Sequence, residues 1–122
     1  MNADQIVTAF IRALEVKDYD TAASYLAEGV VYDNVPMPTV VGREATIEGL
    51  KPFLASATAV QWVVHRQLAD DHQVVNERVD RFEIGGRWLE IPVAGIFEVS
   101  DGQITLWRDY FDLGMFTSQM AG

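Results

Sequence analysis

Near the N-terminus the apolar positions recur at helical spacing. Ile6, Phe10, Ala13 and Leu14 fall on one stripe with Val7 and Ile11 beside it, and Asn2 followed by Gln5 matches a capping box. Asp18 is placed to cap a short second helix, Tyr19 to Ala27, burying Ala22, Ala23 and Leu26 and ending near Gly29. Val30 to Val35 is short and β-rich. Strand alternation there puts Val30, Tyr32 and Asn34 on one face and Val31, Asp33 and Val35 on the other. Pro36 and Pro38 impose a loop. Gly42 precedes a third helical run, Arg43 to Leu54, with Ile47, Leu50 and Leu54 at helical spacing. Pro52 is expected to kink or restart its last turn.

From Val60 onward the period changes to two. Val60–Ala69 reads as a strand, Asp70-Asp71-His72 as a turn, and Val74–Ile84 as the next strand. Gly85-Gly86 is a strong hairpin signal, and Arg87–Val99 is a long strand in which Pro92 predicts a bulge or an edge position. Ser100-Asp101-Gly102 turns the chain into a last strand, Gln103–Asp112. Leu113–Met120 is left to form a final helical turn that packs Phe116 inward. Helices first and hairpin-linked strands afterwards predict an α+β domain, with a cone-shaped, curved antiparallel sheet wrapped around the N-terminal helices. The closed end of such a cone is a natural place for an apolar pocket.

Composition narrows the function. The chain of 122 residues is expected to form one domain, with hydrophobic residues at 49% and charged ones at 22%, an ordinary globular balance. Eighteen acidic against nine basic side chains give a net charge of −9, which argues against nucleic acid and anionic membrane surfaces as partners. The absence of cysteine excludes disulfides, thiolate metal sites and a thiol nucleophile. The opening MNADQIVTAF carries no basic n-region before a long apolar run, so a cytoplasmic protein without a signal peptide is expected.

Charges stand where strands should be apolar. One face of the Val74–Ile84 strand carries Asn76, Arg78, Asp80 and Phe82; the other mixes Val75 and Val79 with Glu77, Arg81 and Glu83. On the last strand Asp109 shares its face with Trp107 and Phe111. A carboxylate so flanked is expected to be buried, which is costly unless it is paired. Arg78 and Asp80 could simply be a solvated pair, with Asp109 a structural anchor. Alternatively the three converge from two neighbouring strands in one pocket. One guanidinium then balances one carboxylate, and the second carboxylate keeps a proton in play as a coupled acid and base. Tyr32 and Asn34 read either as ordinary strand and turn residues or as a phenol and an amide that hold a water molecule.

The stretch from Tyr32 to Arg43, YDNVPMPTVVGR, resembles the Y-x-N-[IV]-P-M loop of limonene-1,2-epoxide hydrolases. Arg78-Val79-Asp80 resembles their R-x-D strand, and Gly95 to Val99 with Trp107 to Leu113 resembles their closing strands, including W-R-D-Y-F-D. The resemblance runs from Ile6 to Phe116, and the three motifs in order make it specific. It implies the cone fold shared with nuclear transport factor 2 and ketosteroid isomerase, and a homodimer. It implies a small apolar epoxide and water as substrates, with no cofactor. It makes Asp109 the base that deprotonates water, Asp80 the acid that protonates the epoxide oxygen and Arg78 the bridge, with Tyr32 and Asn34 holding the water. It puts Met37, Phe82, Ile91, Val93, Trp107, Phe111 and Phe116 where the family lines its pocket.

No competing constellation is found. His65 and His72 have no adjacent ligand set, so no metal site is expected. There is no G-x-S-x-G elbow, G-x-G-x-x-G or Walker loop. Two rivals remain on the same fold. One is an isomerase or cyclase of the ketosteroid isomerase or polyketide-cyclase (SnoaL) type; the other is a small-molecule binding module in which the aspartates only brace the sheet.

Overall fold

A computed structural model describes all residues from Met1 to Gly122. Helix α1 (Ala3–Glu15) starts at the Asn2–Gln5 capping box, with both reciprocal hydrogen bonds present. Its stripe of Ile6, Val7, Phe10, Ile11 and Leu14 is buried. Helix α2 (Tyr19–Ser24) is capped by Asp18 and is shorter than the sequence predicts. The chain enters β1 (Leu26–Asn34) at Leu26, because strand pairing takes that segment: Leu26 lies beside Ile104, whose N–H donates to the Tyr25 carbonyl at 2.7 Å. Gly29 is therefore a strand residue and not a helix cap. A two-residue strand β2 (Val40–Val41), absent from the sequence reading, returns against Val31 and Tyr32 after the proline loop.

Helix α3 (Arg43–Ser56) continues through Pro52 without restarting there. Pro52 is exposed, so the Glu48 carbonyl it leaves without an amide faces water, while buried Leu54 holds the last turn. Strands β3 (Ala59–Ala69), β4 (Gln73–Ile84), β5 (Arg87–Ser100) and β6 (Gln103–Tyr110) follow as antiparallel hairpins. Gly85 and Gly86 turn the β4–β5 hairpin with φ of 60° and 77°, a conformation that side-chain-bearing residues avoid. Beyond β6, helix α4 (Leu113–Ala121) is a full helix rather than one turn, capped by Asp112.

The strands form one sheet in the order β2-β1-β6-β5-β4-β3, with β1 parallel to β6 and every other pair antiparallel. Helix α1 packs against β3, β4 and β6 on its inner face. Pro92 causes no bulge and stays paired with Val79. The Glu90 N–H and C=O both bond the Gln119 side chain, so this edge of β5 points away from β4, and the nitrogen of Pro92, two residues on, shares it. There β6 has already ended, its pairing stopping at Ala94–Tyr110, so Pro92 occupies a local edge. No helix is long and apolar enough to cross a membrane.

The core gathers α1 against the sheet, with Phe10 meeting Trp107 edge-on at 5.1 Å and 85°. Because Phe10 is fully buried, Phe10→Ala should lower stability by about 3–5 kcal/mol, read by chemical denaturation.

Candidate active site

The buried face of β4 carries charge. Asn76, Arg78, Asp80 and Phe82 turn inward, while Val75 on the outer face is 47% exposed. Asp109 arrives from β6, which is not a neighbour of β4 as the sequence reading has it; β5 lies between them. The intervening strand is bridged at Gly95. Register aligns Gln67, Asn76, Gly95, Asp109 and Asn34 in one row across five strands. With no side chain at Gly95, the Arg78 guanidinium lies over the backbone and reaches Asp109. A Cβ there would stand 2.5 Å from Arg78 Nη1, 2.7 Å from Asn76 Oδ1 and 2.9 Å from Asp109 Oδ1.

Arg78 is bonded along two edges. Its Nε and Nη2 donate to Asp80 Oδ1 and Oδ2 at 2.9 and 3.0 Å. Its Nη1 and Nη2 donate to Asp109 Oδ1 and Oδ2 at 3.2 and 2.8 Å. The three side chains are 0%, 8% and 6% exposed. The Trp107 indole N–H donates to Asp109 Oδ1 at 3.0 Å, and the same indole stacks on Tyr32 at 4.1 Å. Such a bidentate, charge-assisted arrangement fixes geometry as well as adding energy.

The electrostatics separate the groups. Burial pushes the Asp80 carboxyl up to about 6 from 3.8; the Arg78 pair opposes this, and the negative charges of Asp109 and Glu15 add to it. Burial, followed by the negative charges of Asp109 and Asp80, also pushes the Tyr32 phenol above its ordinary range, so it stays a neutral donor. Burial alone would make Arg78 easier to deprotonate. The two carboxylates overcome that and hold the guanidinium charged.

A cavity of about 90 Å³ opens on this cluster. Tyr32, Asn34, Asp80 and Asp109 form its polar end. Phe82, Ile91, Val93, Phe111 and Phe116 line it as the sequence reading placed them. Trp107 does not reach the cavity surface but lies fully buried behind Asp109 and Tyr32. Met37 does not line it either: its N–H closes a turn onto the Asn34 carbonyl, and the side chain is 47% exposed. Leu50, Phe53 and Trp62 complete the wall and were missed. Leu50 was legible only as part of the helical stripe of α3, and nothing in the local pattern at Phe53 or Trp62 told core from cavity. Asn76 and Gly95 were missed as well, since only the register reveals that both touch the guanidinium.

The arrangement offers a carboxyl of raised proton affinity, a second carboxyl, a cation between them, and a phenol and an amide at the polar end of an apolar chamber. The family model described as the limonene-1,2-epoxide hydrolase catalytic domain matches residues 1–121. The chain belongs to the limonene-1,2-epoxide hydrolase family. That membership makes it an enzyme of the epoxide hydrolase type. It is 38% identical over 117 residues to epoxide hydrolase EphG of Mycobacterium tuberculosis, covering 95% of this chain and 78% of that protein. A solved LEH-like epoxide hydrolase from M. tuberculosis superposes with a TM-score of 0.84 at 38% identity, covering 97% of this chain and 89% of the other. An NTF2-like protein from Cytophaga hutchinsonii, 21% identical with a TM-score of 0.82, shares the fold over 96% of both chains.

Replacing Gly95 tests the close approach directly. Gly95→Ala should lose about 1–3 kcal/mol of stability, measured by denaturation, through overpacking at the guanidinium.

Proposed function

We propose that this protein adds water to a small apolar epoxide, giving a vicinal diol in one step without a covalent enzyme intermediate. The observation that carries the reading is the Arg78 fork. It holds two buried carboxylates at the polar end of an apolar cavity, and one of them has raised proton affinity. Asp109 takes a proton from water as its oxygen forms a bond to an epoxide carbon. The ring C–O bond breaks, and Asp80 gives its proton to the leaving oxygen. Arg78 stays bonded to both carboxyls as the proton deficit moves from Asp109 to Asp80, and exchange with solvent resets them.

Tyr32 and Asn34 hold the attacking water. Asn34 stands opposite Asp109 across the β1–β6 pair, and Tyr32 stacks on the indole that orients Asp109. The apolar side chains of the chamber hold the hydrocarbon and exclude bulk water, which strengthens the electrostatics. General acid and base groups typically contribute ~10²–10⁴-fold each. An isomerase would need one base and one oxyanion donor; a cation bridging two acids favours water activation.

Two copies are proposed to pair through the outer sheet face, where Val63, Val75 and Tyr110 are 40%, 47% and 46% exposed. Light scattering at micromolar concentration should show a dimer, and a monomer would refute the pairing.

The acid role fixes a pH dependence. Asp80 carries its proton below about 6 and loses it above, so kcat/KM for a small epoxide such as cyclohexene oxide should fall as pH rises through about 6. That limb belongs to the coupled pair. A profile flat from about pH 5 to 8 would contradict Asp80 as the acid. Asp80→Asn and Asp109→Asn should each cost about 10³-fold or more in turnover while melting cooperatively. Single turnover in labelled water should put the label in the diol; label in either aspartate would mean attack by the enzyme.

A further inference from the structure

A guanidinium has five N–H bonds. Four of Arg78's go to the two carboxylates, and the fifth goes from Nη1 to Asn76 Oδ1 at 3.0 Å. Building on the epoxide hydrolase reading above, we propose that Asn76, braced by Gln67, is a positioning residue for the reaction. It locks the plane of the Arg78 fork and occupies its last donor without adding a charge.

Asn76 is 2% exposed and paired on both sides. Its Nδ2 donates to Gln67 Oε1 at 3.0 Å, and Gln67 Nε2 donates to Asp4 Oδ1 at 2.7 Å and Thr8 Oγ1 at 3.1 Å on α1. The sense of each amide is forced. Arg78 has only donors, so Asn76 must turn its oxygen inward, and the Asp4 carboxylate takes the N–H of Gln67 at the outer end. Both amide dipoles therefore present their oxygens toward the guanidinium, extending negative potential from the helix to the cation.

The backbone is shaped to make this contact. β3 and β4 pair regularly from Ala59–Glu83 to Val64–Arg78, then shift by one residue, so that Arg66 meets Glu77 and Gln67 meets Asn76. The extra residue is His65. In the unshifted register His65 would pair with Glu77, Arg66 would stand opposite Asn76 on the buried face, and Gln67 would face outward opposite Val75. The bulge thus brings an amide inside and leaves Arg66 in an exposed pair with Glu77. Together with the bare backbone at Gly95, it fits the third side of the fork to a neutral acceptor.

Neutrality matters because the cluster already holds two acids on one cation. The charged or titratable groups around Arg78 are Asp80 on β4, Asp109 on β6, Tyr32 on β1 and Glu15 on α1, with Asp4 at the far end of the amide chain. A carboxylate at position 76 would raise the proton affinity of the others. An apolar side chain would leave a buried N–H unpaired and let the fork tilt.

The test uses the full-length protein with cyclohexene oxide, plus ¹³Cγ-aspartate NMR titration as a readout that needs no turnover. Asn76→Leu should lose about 10²-fold in kcat with little change in KM, the effect of a misplaced fork. Gln67→Leu, at a half-buried and more tolerant position, should lose roughly tenfold in kcat. Asn76→Asp should move both the alkaline limb of kcat/KM and the highest carboxyl titration of the cluster up by about one pH unit. Retention of kcat within about threefold in the folded leucine variants, or an unmoved titration in Asn76→Asp, overturns the proposal. If Asn76→Leu fails to fold, Gln67→Leu and Asn76→Asp decide. If the wild type turns over no epoxide, the functional reading fails, and the NMR arm still decides whether Asn76 governs the carboxyls.

Discussion

Two carboxylates share one guanidinium in a place water hardly reaches, and most of the inner architecture follows from that contact. Arg78, Asp80 and Asp109 are almost completely withdrawn from solvent. Charges so buried are tolerated only when their hydrogen-bonding capacity is filled, and removing one partner of a buried pair typically costs about 3–5 kcal/mol. The cluster must therefore be complete in order to exist. It is also unbalanced, with one positive charge against two acids. A fully neutralised ion pair would be an inert brace. Burial within this unbalanced set raises the proton affinity of Asp80.

The demand for completeness reaches into the backbone. Asp109 can meet Arg78 across an intervening strand only because that strand offers Gly95 at the crossing point. Its carboxylate is held from the other side by the Trp107 indole, which is itself clamped between Phe10, Phe97 and Tyr32. The helix that supplies the hydrophobic core thereby also sets the angle of the Asp109 carboxylate. Polar precision and apolar packing are one construction, since the donors that orient the carboxylates sit on side chains whose positions the core decides.

The chamber in front of the cluster is assembled from helices as much as from the sheet. Phe53 of α3 meets Phe82 at 4.8 Å and Phe116 of α4 at 5.7 Å, so the apolar wall closes where two helices converge on the sheet. Helix α4 buries no residue fully, and its attachment runs through Gln119, which bonds both backbone groups of Glu90 at the edge that Pro92 leaves without a donor. The helices thus supply much of the apolar wall, whereas the charged cluster stands on the sheet.

Local signals in the sequence decided a good deal. The capping box, the helical stripe of α1, the glycine hairpin and the alternation of the long strands are short-range features, and the structure realises them. The order of helices and strands implied the fold class, and the out-of-place charges on β4 and β6 marked the buried cluster before any strand was paired. What local pattern could not decide was register and competition between partners. Leu26 is equally buried in a helix or a strand, and only its pairing beside Ile104 settles which; Pro52 is tolerated because its carbonyl gap happens to face water. Met37 follows its turn outward, while Leu50, Phe53 and Trp62 form cavity walls. Gly95, Asn76 and Gln67 acquire meaning only when a one-residue bulge and three strand registers set them in a single row. Contacts between residues distant in sequence depend on how strands slide past one another, and that sliding is governed by the packing of the whole sheet.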